Sequence, residues 1–373
     1  MKFERLETKE TRVADTRAEQ SFVIGNTDSG AGAVPTCTTT LKSRDRWGAL
    51  SVRLGWRREA YRVEPGLYAV GAPGTQAPVL VSANYKLSFD ALRKELAGLD
   101  AWILVLDTKG VNVWCSAGKG TFGDAELAKR ISLSRLGLVV EHRVLILPQL
   151  SATGVGAPAV KRATGWTVHF GPVHACDIKD YLAAGMKKTA KMRTMEFPFL
   201  ERLKVVPLEI VAAAPRFALL LGAWILAALV GAFVRQGIPA NSHAWIEIAA
   251  TAIRGGGRAW LAPLAALLVG TGFVPALLPW IPFRAFAAKG LVAGLLLAIG
   301  WILLAGSGPL EALSLLLALP AISAWLAMNF TGSTTFTSLA GVKAEIAAAR
   351  IPLLAAMTVG LGLRSLHLIL TGA

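Results

Sequence analysis

From residue 216 onward the chain keeps only nine of its 39 Lys and Arg and three of its 24 Asp and Glu, and five apolar stretches fill most of that length. They run over about 217–234, 259–280, 285–305, 309–329 and 351–371. A hydrocarbon core of about 30 Å offers no water to backbone N–H and C=O groups, so stretches of this length and composition are predicted as membrane-crossing helices. The sequence thus predicts an all-α transmembrane domain of five helices over 217–373, entered through a connector at 201–216. Lys187, Lys188, Lys191 and Arg193 precede the first span, which places the N-terminal part in the cytoplasm and the domain in the inner membrane. Five crossings put the C-terminus outside. Arg235, Arg254 and Arg258 then fall outside against the charge trend, where Trp245–Ile253 reads as an interfacial helix. Arg364 and His367 share a face near the end of the last span, where snorkelling to the interface is the plain reading. The hydroxyl-rich loop Asn329–Ser338 is expected on the inner side.

The polar half carries most of the charge. The net charge of +15 is scattered among acids, and no basic run with interleaved aromatics occurs. That argues against nucleic acid and for an anionic leaflet or an acidic partner. Cysteines at 37, 115 and 176 are too far apart for a disulfide framework or a cysteine-rich metal site. The charged N-terminus predicts no cleaved signal peptide. Residues 1–33 read as a flexible arm. Between Val34 and Ala77, stretches around Thr36–Thr40, Val52 and Tyr68 read as short antiparallel strands with a Pro65-Gly66 turn. From Ala77 strand and helix alternate: strands at Pro78–Asn84, Trp102–Leu106, Leu138–Val140, Arg143–Leu147 and Gly165–Phe170, helices at Phe89–Leu96, from Asp124 and at Ile178–Gly185. This alternation predicts an α/β, doubly wound, Rossmann-like domain over 34–200.

Inside that domain, Gly110–Gly123 follows the buried strand Trp102–Leu106. With Asn112 as cap of a short helix, Asn112, Cys115, Gly118 or Lys119, and Phe122 share one face. That face holds one thiol beside Ser116, Ala117 and Gly118, a bare shelf suited to a large flat ligand. A phosphate loop is excluded, because G-x-x-x-x-G-K-[ST] requires Gly at 113 and Ser or Thr at 120, where Val113 and Gly120 stand. On residue types alone Cys115 is equally well a buried structural cysteine. In doubly wound sheets ligands bind beyond the carboxyl ends of the strands. Ser82–Tyr85, Asn112–Gly120, Gln149–Gly154 and Phe170–Val173 share that edge, making Asn84, Ser151, Thr153, Gly154 and Gly171 further candidates. Cys37 reads as a strand residue; Cys176, before Asp177 at a helix start, has a reactive setting but no small-residue frame and reads as non-functional.

The run Asn112-Val-Trp-Cys-Ser-Ala-Gly-Lys119 closely resembles the cap-helix motif of the HgcA family, the membrane-bound corrinoid proteins of bacterial and archaeal mercury methylation. That family is related to the corrinoid iron–sulfur proteins of the acetyl-CoA pathway, from which the Trp-Cys pair distinguishes it. The resemblance extends from about Val34 to the last apolar span. It implies a cobalamin-type corrinoid held by Asn112, Val113, Trp114, Cys115, Ser116, Ala117, Gly118 and Lys119, with Cys115 as lower axial ligand of cobalt. The cobalamin signature D-x-H-x-x-G is absent: none of the five histidines has its spacing. The implied activity is methyl transfer from cobalt to Hg(II), with an HgcB-type ferredoxin as iron–sulfur electron donor and an upstream methyl-donor methyltransferase. Two alternatives stay open: a corrinoid methyl carrier of the acetyl-CoA pathway type, and a non-enzymatic membrane thiol sensor or metal transporter.

Overall fold

A computed structural model describes residues 19–56, 58–237, 242–256, 261–330, 336 and 339–371. These fall into two compact units, one built from the described residues up to Val52 and from Trp56 to Glu196, the other from Arg53–Gly55 and from Phe197 onward.

The first unit is a seven-stranded mixed sheet flanked by helices. In chain order its main elements are β1 (Val23–Ser29), β2 (Gly32–Cys37), α1 (Ser43–Arg53), β3 (Gly66–Val70), β4 (Val79–Ala83), α2 (Lys86–Glu95) and β5 (Ala101–Leu106). They continue as α3 (Val113–Gly118), α4 (Asp124–Leu133), α5 (Leu136–Val139), β6 (Val144–Leu147), α6 (Ala157–Thr164), β7 (Thr167–Phe170), α7 (Ile178–Ala183) and α8 (Ala190–Arg193). The strand order is β1-β2-β3-β5-β4-β6-β7. Strands β5, β4, β6 and β7 are mutually parallel, whereas β3 runs antiparallel to β5 and β1 antiparallel to β2.

Every residue of β4 and β5 is buried, as expected of parallel strands covered on both faces. Successive side chains of β5 divide between two cores. Trp102, Leu104 and Leu106 join Leu127 and Ile131 of α4 and Val160 of α6. Ala101, Ile103 and Val105 join Phe89 and Leu92 of α2 and Tyr181 of α7. The chain leaves β4 through α2 to reach β5 on one side. It then returns through α3 and α4 to β6 on the other side. The winding therefore reverses between β4 and β6, and the crevice beyond their carboxyl ends is where such sheets take ligands.

Several expectations need correction. The doubly wound part is confined to four strands, because the non-local pairing of β3 with β5 extends it antiparallel. Val52 lies in helix α1, not a strand, and is buried on the helix's inner side. Leu138–Val140 is not a strand either; Leu136–Val139 makes one helical turn. The expected arm at 1–33 gives way from Val23 onward to the hairpin β1–β2, while residues 1–18 lie outside the described part. Tyr68 and Cys37 sit in strands β3 and β2 as read, but these two strands pair in parallel and not antiparallel as expected.

In the second unit, α9 (Phe199–Gln236) runs unbroken through Pro207 and Pro215, so the stretch expected as a connector is helical. It is followed by α10 (Ser242–Gly256), α11 (Leu261–Leu268), a π-helical stretch Val269–Phe273, α12 (Phe286–Ala305), α13 (Pro309–Asn329) and α14 (Leu339–Thr371). Among the described residues four helices are long and apolar enough to cross a membrane: α9, α12, α13 and α14. The span expected over 259–280 is described as a shorter apolar helix, Leu261–Ala276.

Helices α12 and α13 approach closely through Gly290 and Gly294, one turn apart. A Cβ on either would stand 2.5 Å from the Cα of Ala324 or 2.6 Å from that of Pro320. Without a hydrophobic drive between helices in lipid, such small-residue seams supply the packing. Arg364 does not snorkel: it is 1 % exposed, with its guanidinium over the Trp224 ring at 4.7 Å. The expected inner loop lies mostly outside the described residues; Asn329 ends α13 and Phe330 is buried.

Candidate functional site

The candidate site is built on the turn after β5. Asn84, 1 % exposed at the end of β4, uses its amide oxygen to accept from Thr108 N at 3.1 Å, Thr108 Oγ1 at 2.9 Å and Gly110 N at 2.9 Å. Three donors on one buried oxygen fix the course of the loop, since each would otherwise be stranded away from water. Lys109 and Gly110 take positive φ of 59° and 74° to make the turn. Asp107 stays ionised within it. Burial pushes its carboxyl up, but the hydrogen bonds and charge of Lys109 outweigh that and hold it below the usual carboxylate range.

Helix α3 starts directly after Asn112, which is still extended and whose Oδ1 accepts from Cys115 N at 2.9 Å. Asparagine is among the best residues for this position, because its side chain takes up a donor the helix cannot pair. Ser116 points inward and is fully buried, its hydroxyl donating to Asn112 O at 2.6 Å. Ala117 is buried as well. Cys115 is a free, half-buried thiol, and Gly118 and Lys119 are exposed. A Cβ built on Gly118 or Gly120 meets nothing within 4 Å, so the surface beside the thiol is open. Phe122 does not share this face; the helix ends at Gly118 and Phe122 is wholly buried in the core.

The other candidates divide by what they touch. Gly154 lies against the cap helix, where a Cβ would stand 2.5 Å from Phe122 O and 2.8 Å from the Cα and O of Ala117. These are backbone atoms with nowhere to go, so the loop Gln149–Gly154 and α3 are locked together by the missing side chain. Gly154→Ala is therefore expected to cost about 1–3 kcal/mol, as overpacking does. Urea unfolding followed by circular dichroism checks this, with Gly118→Ala as a neutral comparison. Ser151 is buried and donates its hydroxyl to Pro148 O at 2.8 Å, so it shapes its own loop. Thr153 is exposed. Gly171 is buried beside Ile146 and donates its N–H to Leu147 O at 2.7 Å.

A cavity of about 370 Å³ opens at the winding reversal. Asn112, Val113 and Trp114 line it, while Cys115 lies outside its wall. Its polar groups include Ser82, Ser88 and His174. Sequence reasoning named Ser82 within the edge and passed over Ser88 and His174. Ser88 was hidden in the first turn of α2, and His174 stands one residue beyond the edge stretch Phe170–Val173. Among the described residues no three His, Cys, Asp or Glu side chains cluster to hold a metal ion.

An open α/β sheet with a capped thiol helix at its carboxyl edge and a cavity at the winding reversal defines a ligand-binding domain of the doubly wound class. Comparison with known proteins narrows that class. Residues 40–182 match the family described as CO dehydrogenase/acetyl-CoA synthase delta subunit. The chain is 37% identical over 127 residues to the acetyl-CoA decarbonylase/synthase complex subunit gamma of Methanopyrus kandleri, 34% of this chain and 27% of that one. It is 35% identical over 127 residues to the same subunit of Archaeoglobus fulgidus. It is 28% identical over 142 residues to the corrinoid/iron-sulfur protein large subunit of Moorella thermoacetica, 36% of this chain and 31% of that one. The family match thus falls almost wholly within the first unit, and the chain spans about a quarter of the length of the first two relatives.

Proposed function

We propose that the chain is a membrane-bound corrinoid methyltransferase that delivers a methyl group from cobalt to Hg(II), with Cys115 as the lower axial ligand. The observation that carries this reading is the helix Val113–Gly118, which presents one free thiol on an open shelf at the edge where the fold takes ligands. A single soft sulfur on an open shelf suits a metal that arrives already held by a macrocycle. The name of the Moorella relative supports a corrinoid as that macrocycle.

A corrinoid bound there would be held by Cys115 and would supply a cobalt-held methyl group, which the electrophilic substrate Hg(II) would accept with its electron pair. The chain's own residues do the rest. Asn112 fixes the start of α3 and so the position of Cys115. Asn84 and Gly154 hold the flanking loops. Gly118 and Gly120 keep side chains off the approach to the thiol. Sulfur donates electron density to the metal, which is the main lever a protein has on such a cofactor. A ferredoxin-type donor and an upstream methyl donor complete the cycle in this reading. Lys187, Lys188, Lys191 and Arg193 before α9 support a cytoplasmic position for the first unit.

The similarity to acetyl-CoA decarbonylase/synthase gamma subunits favours a second reading, a corrinoid methyl carrier of that pathway. One experiment separates the two. The purified full chain, loaded with cob(III)alamin, reduced, methylated and given Hg(II), is expected to form methylmercury faster than the same corrinoid free in solution. Equal rates would leave the carrier reading in place.

A further inference from the structure

Helix α1 and the turn after it carry an outward face that the proposed chemistry does not use. Helix α1 is anchored by Asp45 and Val52, 5 % and 2 % exposed. At 100° per residue the positions opposite them are 47, 50 and 54. There stand Trp47, Leu50 and Leu54, at 69 %, 45 % and 45 % exposure, with Trp56 at 70 % in the turn that follows. Arg46 and Arg53 border this apolar stripe on one side and Arg44 on the other, all three exposed. Asp45, the sole acid between Ser43 and Trp56, is buried between Lys86 and Arg93. The outer face therefore presents cations without any competing carboxylate.

We infer that this face of α1 rests on an anionic lipid surface, with Trp47, Leu50, Leu54 and Trp56 at the headgroup boundary and the three arginines on lipid phosphates. Amphipathic helices bind interfaces in this pattern, and indole rings prefer that depth. The charge argues for the occupant: a row of unopposed arginines needs a dense negative surface. Chain continuity argues for it too. The first unit leads directly into α9, the first of four helices long and apolar enough to cross a membrane, so a bilayer is held at high effective concentration.

The test uses the full chain in lipid nanodiscs whose acyl chains are brominated, since bromine quenches indole emission on contact. In discs of phosphatidylcholine with phosphatidylglycerol, the Trp47→Phe/Trp56→Phe variant, which removes two of the eleven tryptophans, is expected to lose part of the bromine-dependent quenching. Arg44→Gln/Arg46→Gln/Arg53→Gln keeps both rings and is expected to lose the same part, as is the wild type in phosphatidylcholine alone. All five side chains are exposed, so the fold is expected to be retained, and far-ultraviolet circular dichroism checks it. Quenching that neither variant changes overturns the inference. A fall in oligomeric mass in Trp47→Phe/Trp56→Phe, with quenching unmoved, would assign the face to a second copy of the chain instead.

Discussion

Replacing Cys115 by alanine is expected to abolish methylmercury formation and to shift the visible absorption of the corrinoid-loaded chain, while leaving the fold intact. Alanine is the best helix former, so α3 keeps its backbone. The cap survives as well, because Asn112 accepts from the backbone N–H of Cys115 and not from its thiol. What is lost is the one soft donor on the shelf. On the proposed function, Hg(II) would take the methyl group only with its electron pair, and the soft donor that Cys115 would offer the metal would favour that transfer. Cys115→His separates ligation from chemistry: imidazole still binds cobalt, yet a weaker donor is expected to transfer methyl poorly. Cys176→Ala is the control. Its thiol is exposed at Ala175–Asp177. Burial and the neighbouring Asp177 push it up, away from the ionised form. Full methylmercury formation by Cys115→Ala, with unchanged absorption, would make this thiol structural.

The cap helix was legible because its determinants are local. An apolar run, a turn and an asparagine followed by small residues identify strand, cap and helix without reference to the rest of the chain. What escaped the sequence is non-local. Helix α1 was read as a strand around Val52, a β-branched residue. The groups that anchor the helix, Lys86 and Arg93, stand 41 and 48 residues beyond Asp45. The run Leu138–Val140 looked like a strand for the same reason, although the chain makes a helical turn there after Arg135 takes φ of 46°. Pro207 and Pro215 were read as punctuation, yet α9 runs through both, as helices in membranes commonly do.

Roles at the site were harder to read than positions. Asn84, Ser151 and Gly154 were expected to meet a ligand. The structure turns Asn84 onto the loop after β5, Ser151 onto Pro148 and Gly154 onto Ala117. A polar residue or glycine at a sheet edge serves the loop as readily as the ligand, and only the partner atoms distinguish the two. The Gly290-Leu-Val-Ala-Gly294 spacing stood in plain view in the sequence. Its meaning depended on knowing that Ala324 and Pro320 of α13 lie opposite.

Arg93→Met is expected to destabilise the first unit by about 3–5 kcal/mol, the usual cost of breaking a buried ionic cluster from one side. Arg93 is wholly buried. Its Nη2 lies 2.9 Å from Asp45 and its Nε 2.7 Å from Asp90, and its Nη1 donates to the carbonyls of Thr38 and Thr40. Lys86 Nζ lies 2.6 Å from Asp45 and 2.7 Å from Asp90, so two cations balance two carboxylates. Methionine fills much of the space but leaves two carboxylates on one ammonium and strands two carbonyls. Domains are stable by only about 5–15 kcal/mol, so a large part of the margin goes. The exposed pair Lys94–Glu95 offers the contrast, and Lys94→Ala is expected to change stability by no more than about 0.5 kcal/mol. The pH dependence follows from Asp45. Burial raises its carboxyl, but the Lys86 hydrogen bond and the charges of Lys86 and Arg93 outweigh that and hold it below its usual value. A carboxylate depressed in the folded state contributes stability that is complete above the unfolded value, about 3.9, and is lost as pH falls through the folded one. Without Arg93 one of the charges that hold the Asp45 carboxyl down is gone, so the loss is expected to begin at higher pH. Urea unfolding of the full chain in detergent, followed by tryptophan emission at neutral pH and stepwise toward pH 4, measures both effects. A change below about 1 kcal/mol at neutral pH would mean that the cluster is replaceable by apolar packing. The consequence reaches the site, because α2 carries three of these four side chains and also supplies Ser88, Ala91 and Leu92 to the cavity wall. Loosening the cluster should therefore weaken ligand uptake at the winding reversal even at temperatures where the sheet remains folded.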